Sequence, residues 1–119
     1  MKTREAYTCP LEMTHDIVKG KWKPLILWLL GKQSFSLAGL KREIRGISQK
    51  MLIEQLRELC EYGMVSKTSY EGYPLKVEYA LTERGRKMLD AVVIMQEIGI
   101  DIMREDHREE FLREQGLIE

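Results

Sequence analysis

The sequence has little of what several classes of protein are built from. Its 119 residues include two cysteines, Cys9 and Cys60, which are too few for a disulfide scaffold and lack the spacing of a metal site. The longest apolar run, Pro24–Leu30, is far shorter than the roughly 20 residues that span a bilayer. Because no apolar secretory segment follows the first residues, we expect a cytoplasmic protein that makes no contact with a membrane.

The chain also lacks net charge, since 19 basic and 19 acidic residues cancel. A zero sum argues against nucleic-acid binding, which usually leaves a basic footprint. The charges are unevenly distributed, however. Residues 19–57 carry nine basic and two acidic side chains, whereas residues 90–119 carry three basic and nine acidic ones. The chain is therefore bipolar, and its basic segment is suited to a polyanionic partner.

The residues that are present suffice for one domain. Hydrophobic residues make up 44% of the chain, and no repeat, low-complexity stretch or linker divides it. We expect a single domain over 1–119. Its core would cover about 9–85, with dimerisation helices at about 9–18 and 86–115.

Hydrophobic periodicity and breaking residues predict a largely helical chain. After Gly63 the apolar period changes to two, which predicts a β-hairpin with strands at about 64–70 and 76–81. Apolar residues after position 104 predict a tail that packs on the domain. The second helix is expected to bury Trp22, Leu25, Ile26, Leu29 and Leu30. The helices are predicted at about 10–18, 21–30, 37–45, 49–62 and 83–104.

The third and fourth helices are joined by Gly46-Ile47, a connection as short as that of a helix-turn-helix. With the hairpin that follows, this order predicts an α+β, mostly helical fold. It would be a winged helix-turn-helix with a two-stranded wing hairpin and extra N- and C-terminal dimerisation helices. In such a fold the fourth helix is the recognition helix, which enters the major groove of double-stranded DNA.

The start of the fourth helix carries side chains suited to reading DNA. Glutamine can contact adenine through two hydrogen bonds, and lysine can donate to O6 and N7 of guanine. Basic residues nearby would instead contact phosphates. The recognition-helix candidates are Ser48, Gln49, Lys50, Ile53 and Arg57. The backbone and wing candidates are Lys41, Arg42, Arg45, Lys67, Tyr70 and Lys76.

Other interpretations of these patterns stay open. A polar face with scattered charges is also typical of a solvated amphipathic helix. A winged helix can use the same hairpin and helix to bind a protein, which predicts little salt-dependent retention on DNA. A small-molecule or redox sensor with secondary DNA binding is a third alternative.

The last long helix is apolar over more than one face. One face can cover its own domain, and the excess apolar surface needs another partner, for which a second copy of the chain is the simplest candidate. A stripe with the spacing of a coiled-coil seam runs along this helix and predicts a homodimer interface. Its members are Met88, Ala91, Met95, Ile98 and Ile102.

Six motifs over roughly residues 9–100 resemble, in order, those of the HxlR-type winged helix-turn-helix transcriptional regulators. The resemblance implies a winged-helix fold, a homodimer joined through its terminal helices, and sequence-specific operator binding. The sequence departs from the family pattern at Ile98-Gly99, where the family often has Trp-Gly. The motifs are Cys9-Pro10, Gly20-Lys21-Trp22-Lys23, the segment 47–52, Leu56-Arg57-Glu58-Leu59, the segment 74–79 and the segment 81–85.

The resemblance also implies that Cys9 occupies the position of a cysteine that senses oxidants or electrophiles in some members. Cys9 precedes a proline at a predicted helix start, where the positive end of the helix dipole favours a thiolate. Lys2 and Arg4 would add to this effect if the N-terminal arm folds back. Two interpretations remain for Cys9, a sensor thiol and a small residue at an interface. Cys60 is expected to be buried and inert.

The sequence offers no sign of catalysis. His15 and His107 are isolated from other ligand-type residues, so we expect no metal and no other cofactor. No nucleophile and base stand at a suggestive spacing, so we expect no enzyme and assign no catalytic residue. The expected partners are double-stranded DNA, a second copy of the chain and, under the sensor interpretation, a small electrophile or oxidant.

Overall fold

The computed structural model describes residues 6–119. This part of the chain consists of helices and one antiparallel hairpin, and the predicted mostly helical winged helix-turn-helix is confirmed. The elements are α1 (Pro10–Val18), α2 (Lys23–Leu30), α3 (Leu37–Glu43), α4 (Gln49–Glu61), β1 (Val65–Tyr70), β2 (Lys76–Leu81), α5 (Glu83–Glu105) and α6 (Glu109–Glu114).

The helices α3 and α4 each begin after a serine whose side chain satisfies a free backbone N–H group. Ser36 precedes α3, and its Oγ accepts a hydrogen bond from the N–H of Gly39 at 3.0 Å. Ser48 does the same for α4, accepting from the N–H of Met51 at 3.0 Å. Such caps typically contribute about 1 kcal/mol each. The starts of both helices of the helix-turn-helix are therefore determined by local sequence.

The end of α4 is set by Gly63, whose φ of 73° lies in the left-handed region. Its N–H donates to the carbonyl of Cys60, and the N–H of Met64 donates to that of Leu59 at 2.9 Å. This pattern satisfies two carbonyl groups at the helix end and favours glycine at that position. The chain then turns directly into β1.

The core is centred on α2, which is buried around most of its circumference. The prediction that Leu25 belongs to the buried stripe is wrong, because this side chain is 36% exposed. Leu27 takes its place and is completely buried. Leu25 lies about 200° around the helix from Lys23, which stands in the middle of the buried face. The largest fully buried side chains are Ile26, Leu27, Leu30, Leu40, Ile44, Ile47, Leu52, Leu56, Leu59 and Leu112.

A lysine therefore occupies the core side of α2. Lys23 is only 5% exposed, and its ammonium forms a salt bridge with the carboxylate of Glu58 on α4. Removing one member of such a pair leaves a buried charge without its partner, which is costly. The pair consequently ties the recognition helix to the central helix at a defined position.

The hairpin pairs β1 with β2 in antiparallel register, from Val65 opposite Leu81 to Tyr70 opposite Lys76. Phe35 joins the sheet through a single bridge, exchanging hydrogen bonds of 3.0 and 2.8 Å with the backbone of Tyr79. The wing is therefore attached to the segment that precedes α3.

The C-terminal tail packs on the domain, as its apolar residues predict. Leu112 of α6 is completely buried, whereas the neighbouring Phe111 remains exposed. The third helix ends at Glu43, two residues before its predicted end, because Ile44 adopts an extended backbone conformation. No helix among residues 6–119 combines the length and apolar character needed to cross a bilayer.

A tight corner joins the start of α5 to the end of α4. A Cβ atom on Gly85 would lie 2.0 Å from the carbonyl oxygen of Met64, so the two backbones touch. The Thr82 Oγ accepts from the N–H of Gly85 at 3.0 Å and donates to the carbonyl of Gly63. Arg84 donates to the carbonyl of Tyr62 at 2.8 Å.

This corner predicts the effect of one added methyl group. Gly85→Ala should destabilise the protein by about 2–3 kcal/mol, since overlap with a backbone oxygen forces α5 to move. Gly99→Ala makes the same change on the same helix where nothing lies within 4 Å. It should be neutral or stabilising by up to about 1 kcal/mol. Urea-induced unfolding followed by circular dichroism compares the two, and equal stabilities would contradict the prediction.

Candidate nucleic-acid interface

The turn between α3 and α4 is anchored in the core. Ile44 and Ile47 are both buried within it, and Gly46 between them has a φ of 87°. A residue with this φ is rarely anything but glycine, which allows the chain to reverse in so few residues. The anchored turn directs α4 across the surface with one apolar and one polar face.

The apolar face of α4 carries Leu52, Leu56 and Leu59, all buried. The predicted recognition-helix side chains of Gln49, Lys50 and Arg57 lie on the solvent side, and Ile53 is exposed among them. Ser48 is also at the surface. Its Oγ already accepts the capping hydrogen bond, so that only the hydroxyl hydrogen and one lone pair remain for another contact.

The predicted phosphate-contacting residues of α3 and the turn are exposed. Lys41 and Arg42 lie in the last turn of α3, and Arg45 lies in the turn itself. Within residues 6–119, none of these three has an acidic side chain at salt-bridge distance. Their charges are therefore available to an anionic partner.

The wing separates its three predicted residues between two faces. Side chains alternate along a strand and cross-strand partners share a face, so Lys67 shares a face with Tyr79, which is buried towards the core. Tyr70 and Lys76 lie on the opposite face. There the Lys76 Nζ is 3.2 Å from a carboxylate oxygen of Glu78 and 5.7 Å from the centre of the Tyr70 ring.

A cleft separates α4 from the inner face of the wing. Two adjoining cavities of about 700 and 390 Å³ share Ile53, Lys67 and Tyr79 as lining residues. We call this region the wing cleft and define it by Ile53, Arg57, Lys67, Leu75, Val77 and Tyr79. The structure thus brings part of the recognition helix and part of the wing together around one groove.

Cys60 lies beside this cleft, on the same face of α4 as Ile53 and Arg57. Burial raises the pKa of its thiol, and the nearby Lys67 ammonium lowers it by a smaller amount. Burial also raises the pKa of the Tyr79 hydroxyl, with a further contribution from Cys60. Cys60 is half-buried and free, and its raised pKa keeps it a neutral thiol near pH 7.

The long helix carries apolar side chains that its own domain does not cover. Met95, Ile98 and Ile102 of the predicted seam each expose more than half of their surface, and Ala91 is exposed as well. Met88 instead packs partly against the core.

The structure adds neighbours to the stripe of the long helix. Ile94 is more than half exposed, and its spacing of four residues from Ile98 was a signal for it. Leu25 and Trp28 of α2 line a hollow of about 330 Å³ beside Met95. Elsewhere in the chain, Leu11 of α1 is also largely exposed.

Cys9 is exposed at the residue before α1, with an extended backbone and Pro10 after it. The side chains around it are Leu11, Glu12 and His15. Lys2 and Arg4, which were expected to approach this thiol, lie outside the described residues. Among residues 6–119, no three His, Cys, Asp or Glu side chains are grouped as a metal site would require.

Comparison with known proteins agrees with this geometry. Residues 17–107 match the family model described as HxlR-like helix-turn-helix. YkvN of Bacillus subtilis strain 168, named as an uncharacterized HTH-type transcriptional regulator, is 44% identical over 82 residues, which cover 69% of this chain and 70% of the relative.

Solved structures of regulators have the same fold. The redox regulator HypR in its reduced form superposes with a TM-score of 0.77 at 36% identity, covering 85% of this chain and 99% of that one. Diamide-treated YodB from B. subtilis superposes with a TM-score of 0.68 at 31% identity, covering 77% and 92%. The chain therefore belongs to the HxlR-like helix-turn-helix family of transcriptional regulators, and it is not an enzyme.

Proposed function

We propose that the protein acts in the cytoplasm as a homodimer that binds a pseudo-palindromic operator in double-stranded DNA. The observation that carries this proposal is the solvent-facing side of α4, which presents Gln49, Lys50 and Arg57 directly after a buried helix-turn-helix turn. Two such helices related by a two-fold axis would enter successive major grooves about 34–36 Å apart. No cofactor is needed for this activity.

Within this proposal the residues divide into those that read bases and those that contact the backbone. Gln49 and Lys50 lie in the first turn of α4, which enters the groove most deeply. Lys41, Arg42 and Arg45 lie on the adjacent helix and turn and contact phosphates. On the wing, Lys67 and Tyr70 occupy different faces of the hairpin, so they contact different parts of the duplex.

The distribution of charge supports the direction of approach. The basic segment 19–57 includes α2, α3 and most of α4, whereas the acidic segment 90–119 includes most of α5 and all of α6. Repulsion between the acidic helices and DNA orients the basic end towards the duplex. It also keeps the dimerisation end away from the phosphates.

Two lysine variants test the division of roles. Lys50→Ala should weaken binding to the cognate site by about 1–3 kcal/mol and relax specificity at one base pair. Lys41→Ala should weaken binding to all sequences and flatten the salt dependence by about one unit of slope. Fluorescence-anisotropy titrations at several salt concentrations measure both, on a site selected from a randomised duplex pool and on random DNA.

The matched control is Lys87→Ala, which removes an exposed lysine from α5, outside the helix-turn-helix and the wing. Its DNA affinity should equal that of the native chain. Equal losses on cognate and random DNA for Lys50→Ala would refute its base-reading role. Absence of any salt-dependent retention on DNA would favour the protein-interaction alternative.

The exposed apolar surface of α5 supports the homodimer. Met95, Ile98 and Ile102 recur at alternating spacings of three and four, as in a coiled-coil seam, and Ile94 extends the surface. Contiguous apolar surface of this kind is uncommon on soluble monomers. A two-fold axis across α5 covers it with the same surface of a second copy.

A charge within that seam tests the dimer. Ile98→Glu should shift the protein from dimer to monomer in sedimentation velocity, because two buried carboxylates would face each other across the axis. Glu97→Gln, one residue away and exposed, should remain dimeric. The Ile98→Glu monomer should also lose cooperative binding to a two-half-site operator. A native chain that sediments as a monomer would overturn the proposal.

A redox response through Cys9 is a second, separable part of the proposal. The thiol is exposed at the start of α1, where an oxidant can reach it. The solved relatives include a redox regulator and a diamide-treated protein. The alternative for Cys9 is a structural residue at an interface.

Diamide treatment distinguishes these two roles. The operator affinity of the native chain should change at least tenfold after treatment and return with dithiothreitol. Diamide, itself reduced to the hydrazine, would join the Cys9 thiols of two copies in a disulfide, and this bond would alter the start of α1. Cys9→Ser should bind like the untreated protein and not respond, whereas Cys60→Ser should respond like the native chain. Gel shifts measure all three. Unchanged native binding after treatment would remove the sensor role.

A further inference from the structure

The wing cleft contains positive charge within an apolar groove. Lys67 is the only charged residue on the inner face of the hairpin, where Val65, Val77 and Tyr79 are its neighbours. Arg57 of α4 lines the same groove from the other side. The cleft thus has two cations facing one space and apolar walls on both sides.

No acidic side chain among the described residues balances these cations. None lines either cavity of the cleft, and within residues 6–119 no carboxylate stands at salt-bridge distance from Lys67 or Arg57. Lys76, which also lines the groove, has its ammonium against Glu78 on the outer face. The two cations of the cleft are therefore available to an anion that does not belong to residues 6–119.

The dimensions and walls of the cleft indicate what kind of anion this is. A volume of about 700 Å³ is within the range of small-molecule sites and far exceeds the size of a simple inorganic ion. Ile53, Val77 and Leu75 present apolar surface that a phosphate or chloride would leave uncovered. An aromatic or aliphatic body attached to one anionic group matches both features.

We propose that the wing cleft is a binding site for a small amphipathic carboxylate. The carboxylate lies between Lys67 and Arg57, and the apolar body covers Ile53, Val77 and the edge of Tyr79. A ligand there occupies the cations that would otherwise contact phosphates and fills the space between α4 and the wing. Ligand and DNA then compete directly, a consequence that rests on the proposed DNA binding, whereas the site itself does not.

Calorimetric titration of the full chain with 2-naphthoate, without DNA, tests the site. We expect saturable binding with one ligand per chain. Lys67→Met keeps the length and apolar stem of the side chain and should weaken binding at least tenfold. Lys41→Met removes an exposed lysine outside the cleft and should leave the affinity for 2-naphthoate unchanged. Circular dichroism confirms that each variant is folded.

The neutral analogue 2-naphthalenemethanol tests whether the carboxylate is needed. It should bind at least tenfold more weakly than 2-naphthoate because it cannot pair with Lys67. Absence of saturable binding, or equal binding of 2-naphthoate to the native and Lys67→Met chains, would overturn the site. Equal displacement of 2-naphthoate by millimolar inorganic phosphate and by a second aromatic carboxylate would also overturn it, because the cleft would then be selecting charge alone.

The DNA arm separates this inference from the proposed function. Salt-dependent DNA binding is measured first without ligand, and saturating 2-naphthoate should then lower the DNA affinity at least tenfold in the native chain and not in Lys67→Met. If DNA binds and saturating ligand does not displace it, competition is refuted while operator binding stands. If 2-naphthoate binds and DNA does not, the ligand site is supported and the proposed function fails.

Discussion

The contact between Gly85 and the carbonyl oxygen of Met64 is the constraint on which the arrangement of the functional elements depends. Met64 leads from the recognition helix into the wing, and Gly85 lies in the first turn of the long helix. Because no side chain separates the two backbones at this contact, α4, the hairpin and α5 meet in one corner. Thr82 closes the corner by bonding both Gly85 and Gly63. A tilt of α5 would therefore displace the end of α4 and the start of the hairpin through backbone contact.

A second link, the Lys23–Glu58 pair, connects α4 to the centre of the core. A buried pair of this kind adds little net stability compared with apolar residues, but it defines a position, since a displaced charge would be left unpaired. The recognition helix is thus held in its last turn by an ion pair and just beyond its end by the corner. Its exposed face has few internal contacts and is left to partners: DNA in the proposed function and an anionic ligand in the adjoining cleft.

Much of the fold could be predicted because its signals are local. The bounds of β2 agree with the predicted strand, and Ser36 and Ser48 cap the helices that follow them. The stripe of α2 was predicted less well, since an almost uniformly apolar helix has no periodic contrast to show which side faces the core. Leu25 was misplaced for this reason, and the buried Lys23 would not be inferred from residue type.

The sequence by itself determined the order of elements, the helix-turn-helix turn, the wing and the segregation of basic from acidic segments, because spacing, caps and charge are written along the chain. Only the tertiary structure decided that Lys67 turns inward while Lys76 turns outward, and that Arg57 faces Lys67 across a groove without a carboxylate. Which charges share a space depends on strand register and on the distance between α4 and the wing. Those quantities are set by packing between residues far apart in the chain, so no local pattern contains them.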